Sequence, residues 1–161
     1  MNKIAHFEIL DPPTKYIYQQ KRKPNETLYL TNNLFYGGAV HWVKQRAGIN
    51  FAKDFLILYL RNIPKLLKMR LELIYYAPSP RFDLDNKAGF WVKMLLDLLR
   101  EPSEKELYNA HIKNKTIKTV NVIPDDNCKY VDDIRIKYKR GPHKIEIIIH
   151  GIKKGEQKEL F

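Results

Sequence analysis

The chain has 161 residues, of which 44% are hydrophobic, so it can bury one core and is expected to form a single domain. Its 29 Lys and Arg outnumber 18 Asp and Glu, and the resulting net charge of +11 indicates a nucleic-acid partner, with a merely basic surface as the alternative. A single cysteine, Cys128, excludes a disulfide framework and a cysteine-rich zinc site. No run approaches the roughly 20 apolar residues of a membrane span, and the first residues do not form a signal peptide, so a cytoplasmic setting without a membrane partner is expected.

The first third of the chain predicts two strands separated by a basic arm. Residues 3–10 form an apolar strand that Pro12-Pro13 ends, because proline cannot donate a backbone hydrogen bond. Residues 14–25 are basic and aromatic and predict a loop or a hairpin arm. A short strand at 27–31 and a turn at Asn32-Asn33 follow.

Two helices and the strand between them are predicted for the middle of the chain. Residues 41–62 indicate a long amphipathic helix, and residues 66–77 indicate a strand rich in β-branched and aromatic side chains. The spacing of apolar residues over 86–99 predicts a second helix, packed on the sheet. The apolar stripe of the first helix comprises Val43, Ala47, Phe51, Phe55 and Leu58, and that of the second comprises Phe90, Trp91, Met94, Leu95, Leu98 and Leu99.

The last third predicts mainly strands. Residues 100–119 are polar with little periodicity and suit a loop or a short helix, whereas residues 116–123 indicate a strand. Alternating side chains in 131–138 and 145–149, joined by the turn residues Arg140-Gly141-Pro142, predict a β-hairpin.

The order of these elements is typical of an α+β domain. We expect a mixed β-sheet with two main helices packed on one face. The domain spans residues 1–152, and residues 153–161 form a flexible basic tail.

Two acidic pairs lie next to predicted elements in this basic chain. Asp83 and Asp85 stand two residues apart where the strand pattern gives way to the helical one, and alternate strand positions would place them on one side. Asp125 and Asp126 follow a proline at the end of another apolar run. Carboxylates that repel one another are stabilised by a cation, and oxygen ligands favour Mg²⁺ or Mn²⁺ over Zn²⁺. A site that brings Asp126 against Asp83 and Asp85 is one interpretation, and a helix cap at Asp85 or Asn86 with a polar turn at the second pair is the other.

Three segments, in order, resemble the RusA-type Holliday junction resolvases. The first is Asp83-Leu84-Asp85-Asn86, the second is the helical run 93–99 with a lysine and an aspartate before leucine, and the third is the Val-Ile-Pro-Asp-Asp-Asn run at 122–127. The opening Leu10-Asp11-Pro12-Pro13-Thr14 is similar to the proline pair that ends the family's first strand. The resemblance touches most of the chain, but its specific part is confined to 82–99 and 122–131.

What the resemblance implies is a RusA-like fold and a homodimeric, Mg²⁺-dependent endonuclease, with Mn²⁺ as an alternative ion. Such enzymes bind branched DNA, specifically four-way junctions, and resolve them by symmetric nicking, in recombination and repair in a bacterium or a phage. Carried over by position, Asp83, Asp85 and Asp126 would be the catalytic, metal-binding carboxylates, with Asp125 as a metal-binding neighbour that substitutes.

The chain departs from the family pattern at two places. The family lysine lies about one helical turn after the second aspartate, where this chain has Gly89. Lys93, one turn further on, is the preferred catalytic lysine, with Lys87 as the alternative and an exposed ion pair of Lys93 with Asp97 as the structural explanation. The long segment 100–121 would move the second acidic pair or extend the DNA-binding surface.

Basic and aromatic side chains outside the acidic pairs are candidates for DNA contact. Tyr16 and Tyr18 would stack on bases, or wedge between them, at an open junction centre. Arg135, Lys137 and Lys139 share one strand face and would follow phosphates. For any single lysine, a solvated surface position is the alternative. The remaining candidates lie in the arm, at the second helix and in the long segment: Lys15, Lys21, Arg22, Lys23, Lys87, Lys113, Lys115 and Lys118.

The segment Gln157-Lys158-Glu159-Leu160-Phe161 looks like the Q-x-x-L-F peptides with which bacterial replication enzymes dock on the sliding clamp. In that interpretation Gln157, Leu160 and Phe161 bind the partner, and the two apolar side chains enter a pocket. A frayed basic terminus is the alternative.

Two further functions compete with the junction resolvase. One is a non-catalytic protein that binds branched DNA, and the other is a nuclease for a branched DNA other than a four-way junction. The acidic pairs favour an enzyme, because a pure binding protein has no use for uncompensated carboxylates that face phosphate.

Overall fold

The computed structural model describes residues 1–36, 38 and 40–155. Within these ranges, no helix is long and apolar enough to cross a lipid bilayer. The strands are β1 (Asn2–Leu10), β2 (Lys15–Tyr18), β3 (Glu26–Tyr29), β4 (Leu66–Ala77), β5 (Val131–Arg140) and β6 (Lys144–Lys153). The helices are α1 (Asn33–Tyr36), α2 (Trp42–Leu60), α3 (Leu84–Leu99) and α4 (Glu104–Ile112).

Four strands form one sheet in the order β1-β6-β4-β5, and β2 pairs with β3 in a separate hairpin. β4 runs antiparallel to β6 and parallel to β5, so the sheet is mixed and the α+β class is confirmed. One face of the sheet packs against the helices in the core, and the other face carries ion pairs, such as Lys137 with Glu72 at 2.7 Å and Lys144 with Glu8 at 2.9 Å. The core face presents Ile9, Met69, Leu71, Leu73, Ile145, Ile147 and Ile149.

The hairpin predicted between the segments that form β5 and β6 is wrong, because β4 lies between them. Tyr75 of β4 pairs with Tyr138 on one side and with Ile145 on the other. The connecting turn crosses the end of β4, where the backbone N–H of Gly141 donates to the carbonyl of Ala77 at 3.1 Å. A strand as apolar as β4 is stable at the centre of a sheet, with a partner at each edge. A local turn pattern carries no information about a third strand that enters between its arms.

α2 forms over the predicted range but presents a different face to the core. The buried positions recur every four residues and are Gly48, Ala52, Leu56 and Leu60. Of the predicted stripe, Val43, Phe51 and Leu58 are exposed. The second half of α2 is apolar on nearly every side, so periodicity alone could not select the buried face. The close packing of α1 against α2 selects the buried face instead, because a Cβ at Gly48 would lie 3.1 Å from the Leu34 side chain of α1.

α3 confirms its prediction, since every residue of its predicted apolar stripe is buried. It begins at Leu84, two residues earlier than expected. Asn33 also differs from its prediction, because it opens α1 instead of continuing a turn. The long segment after α3 contains α4, whose N-terminus has a capping box between Ser103 and Glu106.

The strand predicted at 116–123 is wrong. Within that segment only Ile123 forms a bridge, with Arg100. The backbone N–H groups of Val120 and Val122 instead donate to the carbonyls of Leu98 and Leu99, at 2.8 and 2.7 Å. The segment therefore satisfies carbonyls at the C-terminus of α3, which have no partner within the helix.

Candidate functional site

Asp83 and Asp85 both lie exposed at the N-terminus of α3. Asp83 has extended backbone angles and is the N-cap, and its Oδ1 accepts from the backbone N–H of Asn86 at 3.1 Å. Asp85 belongs to the first helical turn. Carboxylates are favourable at this end of a helix because they face unpaired N–H groups and the positive end of the helix dipole. The cap considered from the sequence is therefore present, at Asp83 and not at Asp85 or Asn86.

Asn32 and Asn33, which the sequence predicted only as a turn, fix this helix end. The side-chain amide of Asn32 donates to the carbonyl of Asp85 at 2.9 Å, and its backbone N–H donates to the carbonyl of Asn86 at 2.9 Å. The side-chain oxygen of Asn86 in turn accepts from the backbone N–H of Asn33 at 3.2 Å. A Cβ at Gly89 would lie 2.7 Å from the amide nitrogen of Asn32. The glycine inside α3 was the available signal, since it marks a close approach by another segment.

The second acidic pair forms a hydrogen-bonded turn. One oxygen of Asp125 accepts from the backbone N–H of Asp126 at 2.9 Å, and the other accepts from the side chain of Asn127 at 2.6 Å. The hydrogen bond from the Asp126 backbone, more than any other contact, lowers the pKa of Asp125. Burial raises the pKa of Asp126, and the neighbouring carboxylates of Asp125 and Asp97 add to this effect. The polar turn considered from the sequence is therefore present, and it concentrates negative charge.

The two acidic pairs lie at opposite ends of α3. Asp126 is near Asp97 and Arg100, at the C-terminal end, whereas Asp83 and Asp85 are at the N-terminal end. The helix rises 1.5 Å per residue, so Asp85 and Asp97 are separated by about 18 Å along its axis. Within residues 1–36, 38 and 40–155, no three His, Cys, Asp or Glu side chains form a group that could hold a metal ion. The oxygen donors suit Mg²⁺, but one chain does not bring the three aspartates together as predicted.

The two candidate lysines of α3 both lie against aromatic rings. Lys93 Nζ is 4.3 Å from the ring centroid of Phe35, and Lys87 Nζ is 5.4 Å from that of Phe82. Asp97, the sequence-based ion-pair partner of Lys93, forms an ion pair with Lys53 of α2 at 3.1 Å.

The basic arm is the β2–β3 hairpin, and its two tyrosines face α2. The ring of Tyr16 packs against Phe51 with centroids 5.0 Å apart, and the ring of Tyr18 lies 5.8 Å from Lys44 Nζ. Both tyrosines are half-buried, so part of each side chain is covered, and their stacking on bases stays a prediction. Tyr29, which no sequence motif singled out, is 65% exposed on β3.

The remaining basic candidates divide into paired and exposed side chains. Lys118 forms an ion pair with Asp54 at 2.7 Å, and Arg135 forms one with Asp133 at 2.6 Å. The arm and the segment after α4 retain exposed cations at Lys15, Lys21, Arg22, Lys23, Lys113 and Lys115.

In comparisons with known proteins, no family model matches the chain, and neither does any curated protein. The case for a function therefore depends on the residues themselves. The peptide Gln157–Phe161 lies outside the described residues, so its proposed docking role stays a prediction.

Proposed function

We propose that the protein is a metal-dependent endonuclease that acts as a homodimer on branched DNA, with the four-way junction as its substrate. The observation that carries this proposal is the pair of exposed carboxylates, Asp83 and Asp85, at the capped N-terminus of α3 in a chain of net charge +11. Carboxylates repel DNA phosphate, so in a protein that binds DNA through a basic surface they add to DNA affinity only if they bind a cation. The resemblance of residues 82–99 and 122–131 to the RusA-type resolvases supports the same function.

The separation of the acidic pairs adds a requirement to this proposal. Because Asp126 lies at the far end of α3, a site with three carboxylates needs two chains. We propose that Asp83 and Asp85 of one chain meet Asp126 of the partner subunit across a twofold axis. A twofold dimer forms two identical sites of this kind, which suits the paired nicking of a symmetric junction.

The positions of the residues suggest the role of each in this proposed reaction. Asp83 and Asp85 would supply oxygen ligands from the N-terminus of α3, held in place by Asn32, while Lys93 or Lys87 would attract the DNA phosphate. In such nucleases the bound metal activates water and stabilises the charge that develops on phosphate. The exposed lysines of the arm would hold the DNA.

The test is cleavage of a synthetic four-way junction, compared with linear duplex and Y-shaped DNA, with Mg²⁺ or with a chelator. The wild type should make paired, Mg²⁺-dependent nicks in the junction. Asp83→Asn should lose cleavage and keep binding, because asparagine is as good an N-cap as aspartate. Preferred cleavage of the Y-shaped DNA would identify a nuclease for another branched substrate.

A non-catalytic protein that binds branched DNA is the second candidate. It is favoured by the structural roles of the acidic residues, because Asp83 caps α3 and Asp125 stabilises its turn. Binding of the junction without cleavage under any divalent metal would support this candidate and contradict the nuclease.

A further inference from the structure

Two clefts on the helical side of the protein meet at Arg46. One cleft, of about 360 Å³, lies between α2 and α4 and includes Lys113 and Lys115. The other, of about 370 Å³, runs along α2 from Trp42 to Asp97 of α3. Because Arg46 lines both, the two clefts adjoin, and we call them together the α2–α4 groove.

An exposed aromatic platform lies in this groove. Trp42 is 60% exposed, although tryptophan is usually buried over most of its surface. The guanidinium of Arg46, one helical turn further along α2, lies 5.2 Å from its ring centroid. The other tryptophan of the chain, Trp91, is only 3% exposed. The ring centroid of His41 lies 5.7 Å from that of Trp42, so the surface on which a nucleobase can stack is the exposed part of the Trp42 ring that Arg46 and His41 leave uncovered.

The groove contains two carboxylates, Glu106 and Asp97, which are paired with Arg100 and Lys53, and it carries further positive charge that is not paired within the described part of the chain. Over the described ranges, no carboxylate forms an ion pair with Arg46, Lys113 or Lys115. The nearby Lys53, by contrast, is paired with Asp97. Three cations left free along one groove complement a chain of phosphates.

We infer that the α2–α4 groove binds a single strand of DNA, with a base stacked on Trp42 and phosphates against Arg46, Lys113 and Lys115. A cleft of a few hundred Å³ between two helices admits one strand, whereas a duplex needs a broader surface. The groove ends at Asp97, which lies near Asp126, so a strand in it passes the second acidic pair. The inference rests on the proposed function for its choice of DNA, and it extends that function to an unpaired strand of the branched substrate.

The two tryptophans provide a direct measurement. An oligothymidylate of about 12 nucleotides is titrated into the full-length protein in chelator, and tryptophan emission is recorded. Stacking should quench the emission of Trp42 and leave that of buried Trp91 unchanged. Trp42→Phe should remove the quenching, and Trp42→Ala should weaken binding roughly tenfold, as measured by fluorescence anisotropy of a labelled strand.

Salt dependence tests the phosphate contacts. Arg46→Gln and Lys113→Gln should each reduce the slope of log affinity against log salt by about 0.7. Lys3→Gln is the matched control, because it removes one charge from an exposed residue of β1 outside the groove and should leave the quenching of Trp42 unchanged.

The outcomes separate this inference from the proposed function. Junction cleavage with no quenching of Trp42 by the oligonucleotide would overturn the groove and keep the nuclease. Quenching without cleavage of any branched DNA would keep the groove and remove the nuclease. A concentration-dependent change in Trp42 emission without DNA, together with a dimer that Trp42→Ala dissociates, would show that a second copy of the chain occupies the groove, and would overturn the inference.

Discussion

Both ends of α3 carry aspartates, but different interactions surround them at the two ends. At the N-terminal end, Asp83 and Asp85 are positioned by a helix cap and by the amide groups of Asn32. At the C-terminal end, Asp126 lies among charged side chains, where Arg100 contacts Glu106 through both guanidinium NH₂ groups, at 2.7 and 2.8 Å. The N-terminal end depends on hydrogen bonds between side chains and backbone groups. The C-terminal end includes the ion pair of Arg100 with Glu106, which acid should weaken as Glu106 becomes protonated.

The largest effect should be the recovery of cleavage when two inactive variants, one altered at each end of α3, form a heterodimer. Asp83→Asn and Asp126→Asn chains should each be inactive, but a heterodimer of the two contains one site with all three carboxylates. Mixing them in equal amounts should restore about a quarter of the wild-type sites, if dimers form at random. The measurement is nicking of a junction labelled on each strand, and the restored products should be single nicks.

The matched control mixes Asp83→Asn with Asp85→Asn, which alter the same half of the site and should not restore activity. If the first mixture also remains inactive although subunits exchange, the carboxylates do not meet across a dimer.

The next effect is the pH dependence of the stability that the ion pair of Arg100 with Glu106 contributes. Hydrogen bonds from Arg100 lower the pKa of Glu106 from 4.5 to about 2, so ionised Glu106 stabilises the fold above its unfolded pKa. That stabilisation is lost as pH falls from roughly 5 to 2. Because Glu106 is 41% exposed, we expect solvent screening to limit the contribution to about 1 kcal/mol.

Urea unfolding of wild type and Arg100→Gln at several pH values measures this contribution. The difference in unfolding free energy should be largest near pH 7 and should shrink toward pH 2. A difference that stays constant over this range would mean that Arg100 stabilises the protein through packing and not through the charge of Glu106.

Loss of the helix cap at Asp83 should change the unfolding free energy by a similar amount. Asp83→Ala should lower the unfolding free energy by about 1 kcal/mol, and Asp83→Asn should change it little, because asparagine also caps helices. Chemical denaturation of both variants checks the cap, and their junction cleavage checks the site. Equal destabilisation by the two variants would show that the carboxylate charge, and not the cap, matters for folding.

The smallest effect should come from the contact between Asn32 and Gly89. Gly89→Ala improves helix propensity by about 1 kcal/mol but displaces the Asn32 side chain, so we expect little net change in unfolding free energy. In an Asn32→Ala background, the same substitution should be stabilising, because the obstructing amide is gone. A double-mutant cycle measures the coupling, and additive effects would mean that Asn32 moves aside at no cost.

Several elements followed from local patterns in the sequence. The boundaries of β4 and the buried face of α3 were predicted correctly, because both depend on side-chain periodicity and on stop signals within the segment itself. The acidic residues were also found from the sequence as candidates, since charged pairs at element boundaries are visible without a structure.

Tertiary structure alone decided the rest. β4 enters between β5 and β6, α2 turns Gly48 and Ala52 inward, and Asn32 binds the start of α3 from more than fifty residues away. The distance between Asp85 and Asp126 likewise depends on the length and direction of α3, not on their spacing in the chain. Periodicity encodes which residues of one segment share a face. Which edges pair and which ends meet is decided by hydrogen bonds and close packing between distant segments, and no local pattern contains that information.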